Sequence, residues 1–309
     1  MKQKNIALYT DISGNKINFR TYTYGSGPHG IYIQGGVHGG EITYYIFHVL
    51  HAFLKKHEKQ LKKRVLLAPI INPPAWNQRI YYYTAGKFDF YKGADWNRKY
   101  PGDETNLSGR NAKIIFDLAS TYEFAIDLHT ARYSMPYVIF ADNKLQTYIK
   151  TLGLPYNIFS EKGTKYKGAF HDAFAMHGKN AVTIETGSHD DYHSQNIQMT
   201  VDAIIRLFEK LDIINAKQIT STEKQYVVTA IKTLYSPVSG FAQYLVEPQE
   251  LINKNQTLAE IYPSDSLGKV VKMKAPFDGL LFELPKTHIV WTGDEIFKIV
   301  PKESCIPLA

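Results

Sequence analysis

The feature that most constrains the fold is an alternation. Between residues 31 and 211, short apolar runs take turns with stretches of helical spacing. Ile31–Gln34 reads as a strand, broken by Gly35-Gly36. Glu41–Lys56 then carries Tyr45, Phe47, Val49, Leu50 and Phe53 at helical intervals. Arg64–Ile71 reads as a second buried strand, stopped by Asn72-Pro73-Pro74. Beyond an irregular stretch from 75 to 107, Asn111–Tyr122 reads as a helix, and Phe124–Leu128 and Pro136–Ala141 as strands. Gly168–His177 reads as a helix, Ala181–Glu185 as a strand and Ser194–Leu211 as a long amphipathic helix, with Ser194 as candidate N-cap. Strands alternating with helices predict an α/β domain, a mixed sheet flanked by helices.

The character changes near Thr220. From Gln225 onward short strands and Pro-Gly turns predominate, and Ser236-Pro-Val-Ser-Gly240 resembles Ala275-Pro-Phe-Asp-Gly279. Each is followed, after a polar turn, by an apolar strand, Gln256–Ile261 and Asp294–Ile299. A repeat this short predicts two interlocked halves of a small all-β sandwich. The domain boundary is expected between 215 and 225, giving a domain of residues 1–220 and a C-terminal one of 221–309. These duplicated strands also resemble carrier domains of the lipoyl/biotinyl type, and Val271-Lys-Met-Lys274 resembles a modification site. Lys272 and Lys274 lead into Ala275-Pro276 within a strand instead of sitting at a hairpin tip, so covalent carriage is not expected.

Composition narrows the function classes. The net charge of +7 is spread in ones and twos, with one cluster from Lys55 to Arg64 at a helix end. No basic-aromatic interleaving of a nucleic-acid module accompanies it. The single cysteine, Cys305, excludes an internal disulfide framework and thiolate metal sites. The first ten residues lack a signal-peptide pattern, and no run approaches the ~20 apolar residues of a membrane helix. A cytoplasmic protein with no nucleic-acid or membrane partner is the expectation, and homo-oligomerisation is left open.

Chemistry-bearing residues gather at strand ends. Gln34-Gly-Gly-Val-His-Gly-Gly-Glu41 follows a strand and places His38 and Glu41 three apart on a loop entering a helix. Ile126-Asp-Leu-His-Thr130 ends a second strand at His129. Two imidazoles and a carboxylate suit one Zn²⁺ per chain and leave a position for water. In open α/β sheets, sites form beyond the carboxyl ends of strands. Asp127 is open to two readings, a partner that orients the site or a residue capping the strand-end turn. Glu185, ending a third apolar strand, is read as the general base toward metal-activated water. From the irregular stretch, Arg79 is placed to stabilise a tetrahedral oxyanion, and Asn97 with Arg98 to clamp a substrate carboxylate. His189, His193 and Asp190-Asp191 read as a polar loop before the last helix, and His171 and His177 as helix-surface or loop residues.

Together these segments resemble the succinylglutamate desuccinylase/aspartoacylase family, a branch of the zinc carboxypeptidase-like enzymes. The matching pieces are Gly36-Val-His-Gly-Gly-Glu41, Asn72-Pro-Pro-Ala75 with Arg79, Asp95-Trp-Asn-Arg98 with Tyr100-Pro-Gly102, Asp127-Leu-His-Thr130 and Thr183-Ile-Glu-Thr-Gly187. The β-rich tail also looks like that family's C-terminal domain, of barrel-sandwich hybrid type. The resemblance implies zinc on His38, Glu41 and His129, carbonyl polarisation by Arg79, carboxylate binding by Asn97 and Arg98, and base catalysis by Glu185. It implies a deacylase cleaving N-acyl amino acids or similar small anionic amides. A metallocarboxypeptidase acting on peptide or cell-wall fragments is the alternative, and a non-catalytic binding protein a third reading. Trp96 and Tyr100 depart from the family's usual small apolar residue and phenylalanine. The aromatic, lysine-bearing stretch Ala85–Ala94 leaves the substrate open.

Overall fold

The computed structural model describes residues 1–78, 86, 94–189, 192–215, 221 and 224–308. They form two compact units, one of Met1–Thr130 with Pro136–Glu223 and one of Ala131–Met135 with Lys224–Ala309.

The first unit opens with β1 (Lys2–Thr10) and β2 (Lys16–Tyr24), an antiparallel hairpin. Asp11 closes its turn by accepting the amides of Ser13 and Asn15 at 2.9 and 2.8 Å. Then follow β3 (His29–Gly35), α1 (Thr43–Lys56), β4 (Arg64–Ala68), α2 (Pro73–Asn77), α3 (Leu107–Ala119) and β5 (Phe124–Ala131). The unit continues with β6 (Tyr137–Phe140), α4 (Gln146–Leu152), β7 (Tyr156–Phe159), α5 (Phe170–Met176), β8 (Ala181–Ser188) and α6 (Ser194–Lys210). The strands lie in the order β1-β2-β4-β3-β5-β8-β6-β7. Pairing is parallel for β3 with β4, β3 with β5 and β6 with β7, and antiparallel for β2 with β4 and β6 with β8. This is the mixed sheet the sequence predicts. Its central strands are buried on both faces: Ile31, Ile33, Phe124, Ile126 and Leu128 on one, Tyr32 and Ala125 with the polar Gln34 and Asp127 on the other.

Several boundaries differ from expectation, each for a local reason. The first helix starts at Thr43 and not at Glu41, which leaves Glu41 on the loop with its carboxylate directed into the interior. The third begins at Leu107 because Asn106 caps it, accepting the Gly109 amide at 2.9 Å. The strand expected to run to Ile71 stops at Ala68, and Asn72 caps α2. Ser194 is not the cap of α6; His193 holds that position, with no side-chain cap bond. No described helix is long and apolar enough to cross a membrane.

The second unit is all β. It runs β9 (Tyr226–Val228), β10 (Lys232–Tyr235), β11 (Gly240–Tyr244), β12 (Leu251–Ile252), β13 (Thr257–Pro263), β14 (Val271–Lys274), β15 (Gly279–Glu283), β16 (Ile289–Val290), β17 (Glu295–Pro301) and β18 (Cys305–Pro307). β9 pairs with β18. The remainder form two four-stranded sheets, β10-β17-β15-β12 and β14-β13-β11-β16. Replacing each strand of the first sheet by its counterpart in the other half-repeat gives the second sheet. Each half lends its outer strands to the other's central pair, so the halves interlock as the duplicated Pro-Gly segments predict. Lys272 and Lys274 lie within β14.

Candidate active site

The loop after β3 is built by backbone constraint. Gly36 adopts φ +65°, and a Cβ there would lie 2.8 Å from Trp76 Nε1 and 2.9 Å from the Pro69 carbonyl, so glycine is required. Asn72 ties the loop down, donating from Nδ2 to the Val37 carbonyl at 2.9 Å and from its amide to the Gly36 carbonyl at 3.2 Å. The Asn-Pro-Pro segment is therefore a clamp on the His38 loop as well as a strand stop.

His38 Nδ1 lies 2.9 Å and His129 Nδ1 3.4 Å from the same oxygen, Glu41 Oε1. These three residues form a cluster whose ligand atoms all lie within 4.8 Å of one another, the one such His/Cys/Asp/Glu cluster among the described residues. The far nitrogen of each ring is held by a carboxylate. His38 Nε2 meets Asp95 Oδ1 at 3.0 Å, and His129 Nε2 meets Asp127 Oδ2 at 2.8 Å. Strand geometry explains the second pair, since residues two apart share a face. The parallel register then sets Gln34 beside Asp127, and Gln34 Nε2 donates to Asp127 Oδ1 at 3.0 Å. Tyr32 donates in turn to Gln34 Oε1 at 3.0 Å. Of the two readings of Asp127, the structure supports the orienting partner.

Burial pushes the Glu41 carboxyl up, but the charges of His129 and His38 outweigh it and hold it well below the ordinary carboxylate range. Burial pushes both imidazoles down. For His129 the charges of Asp127 and Glu41 prevail and raise it well above its usual value, and Glu41 with Asp95 raises His38. Glu41 Oε2 is buried with no hydrogen-bond partner. Two Nδ1 atoms converging on one carboxylate, an orphaned second oxygen, and carboxylates behind both rings fit a divalent cation with nitrogen and oxygen ligands.

Around this cluster lies a cavity of about 290 Å³, lined also by Asn97, Arg98, Thr130, Tyr166, His171, Thr183, Glu185 and His189. Glu185 reaches it from β8, in register with Tyr137 of the neighbouring strand. Asn97 is buried, its Oδ1 accepting the Phe170 amide at 3.1 Å and its Nδ2 lying 3.2 Å from His129 Nε2. Asp127 takes the Nε2 proton, since the Asn97 NH₂ is itself a donor and cannot accept it. Arg98 is exposed, donates to the Asn97 carbonyl at 2.6 Å, and stands 5.9 Å from the centre of the Tyr166 ring. The structure thus brings His38, Glu41, His129, Asn97, Arg98 and Glu185 to one cavity. Arg79 and most of Ala85–Ala94 lie outside the described residues.

His171 corrects the sequence reading. It is not a helix-surface residue but is buried in the cavity wall at the start of α5, with Nδ1 2.8 Å from Thr183 Oγ1. Tyr166 was also unforeseen; its loop is held by Asp172, which accepts the Gly163 and Gly168 amides at 2.6 and 3.2 Å. His189 meets Thr130 Oγ1 at 3.0 Å on the cavity rim, and Asp190 and Asp191 lie outside the described residues. Asp95 was legible only as part of a motif, since its partner His38 is 57 residues away in sequence.

Residues 28–211 match the family model for the succinylglutamate desuccinylase/aspartoacylase catalytic domain. Among curated protein sequences, none matches this chain. Solved structures share the fold along nearly the whole length. A protein of Shewanella frigidimarina NCIMB 400 named for that family superposes with a TM-score of 0.85 at 18% identity, covering 99% of this chain and 98% of its own. One from Shewanella amazonensis SB2B gives 0.85 at 19% identity, covering 98% and 99%. The ectoine utilization protein EutE (DoeB) of Ruegeria pomeroyi, in a product-bound structure, gives 0.82 at 15% identity, covering 96% and 94%. The chain belongs to the succinylglutamate desuccinylase/aspartoacylase family of deacylating hydrolases.

Proposed function

We propose that this protein is a zinc-dependent deacylase that hydrolyses the amide bond of N-acyl amino acids or similar small amides bearing a carboxylate. The observation that carries this reading is the convergence of His38 Nδ1 and His129 Nδ1 on Glu41 Oε1 in a cavity that Glu185 also lines. His38, Glu41 and His129 would hold one Zn²⁺. When bound, zinc supplies a Lewis acid that acidifies water and polarises a carbonyl. Asp95 and Asp127 fix the ring orientations and keep the Nδ1 lone pairs directed inward. Glu185 takes the proton released as water attacks the acyl carbon and delivers it to the departing amine. Arg98 draws the substrate carboxylate to the cavity, Asn97 forms its polar wall, and Arg79 is assigned to the oxyanion. The substrate is a small anion, and the chain's charge of +7 favours its approach.

The test is zinc content together with hydrolysis of a panel of N-acyl amino acids by wild type and Glu185→Gln. Wild type should carry one zinc and release free amine. The variant should keep its zinc and lose roughly 10²- to 10⁴-fold in kcat. Equal inactivity of the two across a broad panel overturns the enzyme reading. A preference for short peptides over acylated amino acids replaces the deacylase by a carboxypeptidase.

A further inference from the structure

Thr183 and Glu185 are two residues apart on β8 and both line the cavity, as the pleat requires. The His171 ring lies one rung deeper than Glu185, because its Nδ1 is bonded to the Thr183 hydroxyl at 2.8 Å. His171 is 2% exposed, and its other nitrogen, Nε2, is buried with no hydrogen-bond partner. The proposed hydrolysis gives this ring no task.

Among the described residues, His171 Nδ1 is the hydrogen-bond partner of the Thr183 side chain. Either wiring leaves one donor and one acceptor unmatched: the hydroxyl proton and the Nε2 lone pair if Nδ1–H donates, or an Nε2–H and the hydroxyl lone pairs if the hydroxyl donates. The neutral imidazole's own preference for carrying its proton on Nε2 favours the second wiring, in which the hydroxyl donates to Nδ1. Burial also disfavours a charged ring, and the His171 pKa falls to about 3, with the charges of His129 and Arg98 adding to the desolvation. A neutral ring with a lone buried donor stands in a cavity wall among Tyr166, Thr183 and Ala169.

We propose that His171 determines specificity, its Nε2–H donating to a substrate oxygen that lies outside the scissile amide. The substrate class is an N-acyl amide whose deeply inserted end carries an oxygen acceptor, a carboxylate or carbonyl, and not an alkyl terminus. Thr183 is the positioning residue that sets the tautomer. The inference deepens the deacylase reading and rests on it for its kinetic assay.

The experiment uses two isosteric pairs with the zinc-loaded full chain. One is N-succinyl- against N-butanoyl-L-alanine; the other is N-acetyl-L-glutamate against N-acetyl-L-norvaline. In at least one pair, wild type should prefer the oxygen-bearing member. His171→Phe should lower kcat/KM for that member by roughly 10- to 100-fold, chiefly through KM, and leave its methyl isostere within about twofold. His171→Gln, whose amide can place a donor near Nε2, and Thr183→Ser should retain much of the preference, whereas Thr183→Val should weaken it. No preference in either pair, or an equal loss on both members in His171→Phe, overturns the inference. Nitrogen NMR of the His171 ring at neutral pH gives a readout free of turnover: an Nε2–H tautomer is expected, and an Nδ1–H or charged ring overturns it. If wild type hydrolyses no amide at all, the deacylase reading fails by itself. Calorimetry with succinate against butanoate, and L-glutamate against L-norvaline, then decides. A wild-type preference for the oxygen-bearing probe that His171→Phe abolishes sustains the inference, and its absence overturns it.

Discussion

Four imidazoles line one cavity, and for three of them, His38, His129 and His171, what stands behind the ring sets its chemistry. His38 is backed by Asp95 and His129 by Asp127, at 3.0 and 2.8 Å. His171 is backed by the hydroxyl of Thr183 at 2.8 Å. A carboxylate behind a ring makes the opposite nitrogen a better electron donor and holds positive charge nearby. A hydroxyl does neither, so burial governs. The pKa directions diverge accordingly, upward for His38 and His129 and downward to about 3 for His171. One residue type thus builds a wall that fits a cation and, in the same cavity, a neutral wall proposed to donate.

The largest break in this contrast comes from the cation wall. His129→Ala removes a ligand, and zinc content should fall from one per chain to none, with hydrolysis falling to background. Asp127→Asn keeps the shape and removes the backing charge. Asp127 accepts from His129 on one oxygen and from Gln34 on the other. An asparagine must turn its NH₂ toward one of these two donors, so one bond becomes a repulsion. Zinc affinity, measured by competition with a chelator, should drop roughly 10- to 100-fold. Thr183→Val should leave that affinity unchanged, because its ring binds no cation. A comparable loss in Thr183→Val would dissolve the distinction between the walls.

The cation wall was also the more legible one. Its ligands follow strand ends, and strand ends show in sequence as apolar runs broken by glycine or by a polar residue. Period-two alternation puts Asp127 on the face of His129, so that pairing could be read locally. Asp95 could not, because a long irregular segment has to fold back to bring it to His38. His171 was misplaced for a related reason. In His171-Asp172-Ala173-Phe174 the polar residues suggest an exposed helix face, but packing of α5 against β8 buries all four. Their polar groups are matched tertiarily, by Thr183 and by the Gly163 and Gly168 amides. The β1–β2 hairpin escaped because β1 is exposed at six of its nine positions and half-covered at two, leaving no apolar alternation to recognise. The tail's interlocked halves were visible because a duplicated Pro-Gly segment marks each half.

The donor wall makes a second, intermediate prediction through pH. His171 titrates near 6.5 when unfolded and near 3 in the folded chain. Between those values the unfolded state binds the proton and the folded state does not. Stability therefore rises with pH across the window and is lost as pH falls from about 6.5 toward about 3. A single such group contributes a slope of up to about 1.4 kcal/mol per pH unit. Urea unfolding of the metal-free protein, compared with His171→Phe at each pH, isolates this part from the other acids and imidazoles. The variant should show the shallower slope. A slope equal to wild type would mean that His171 is charged in the folded chain, like the rings of the cation wall.

The smallest expected effect lies where the donor wall meets the solvent. The Tyr166 ring stands between Arg98, 5.9 Å from its centre, and His171, edge-on at 5.7 Å. Its loop passes so close to the Arg98 segment that a Cβ on Gly168, at φ +78°, would lie 2.6 Å from the Arg98 carbonyl. The ring therefore steers an exposed guanidinium toward the cavity without itself carrying charge. Tyr166→Leu removes the π face and keeps apolar bulk. A cation–π contact at an exposed site contributes about 0.5–1 kcal/mol, so KM for a carboxylate-bearing substrate should rise roughly two- to fivefold with kcat little changed. Zinc affinity should stay at the wild-type value, since the substitution keeps Asp95 behind His38 and Asp127 behind His129. A fall in kcat with constant KM would place Tyr166 at the reacting bond instead, and the donor wall would then extend to the scissile amide.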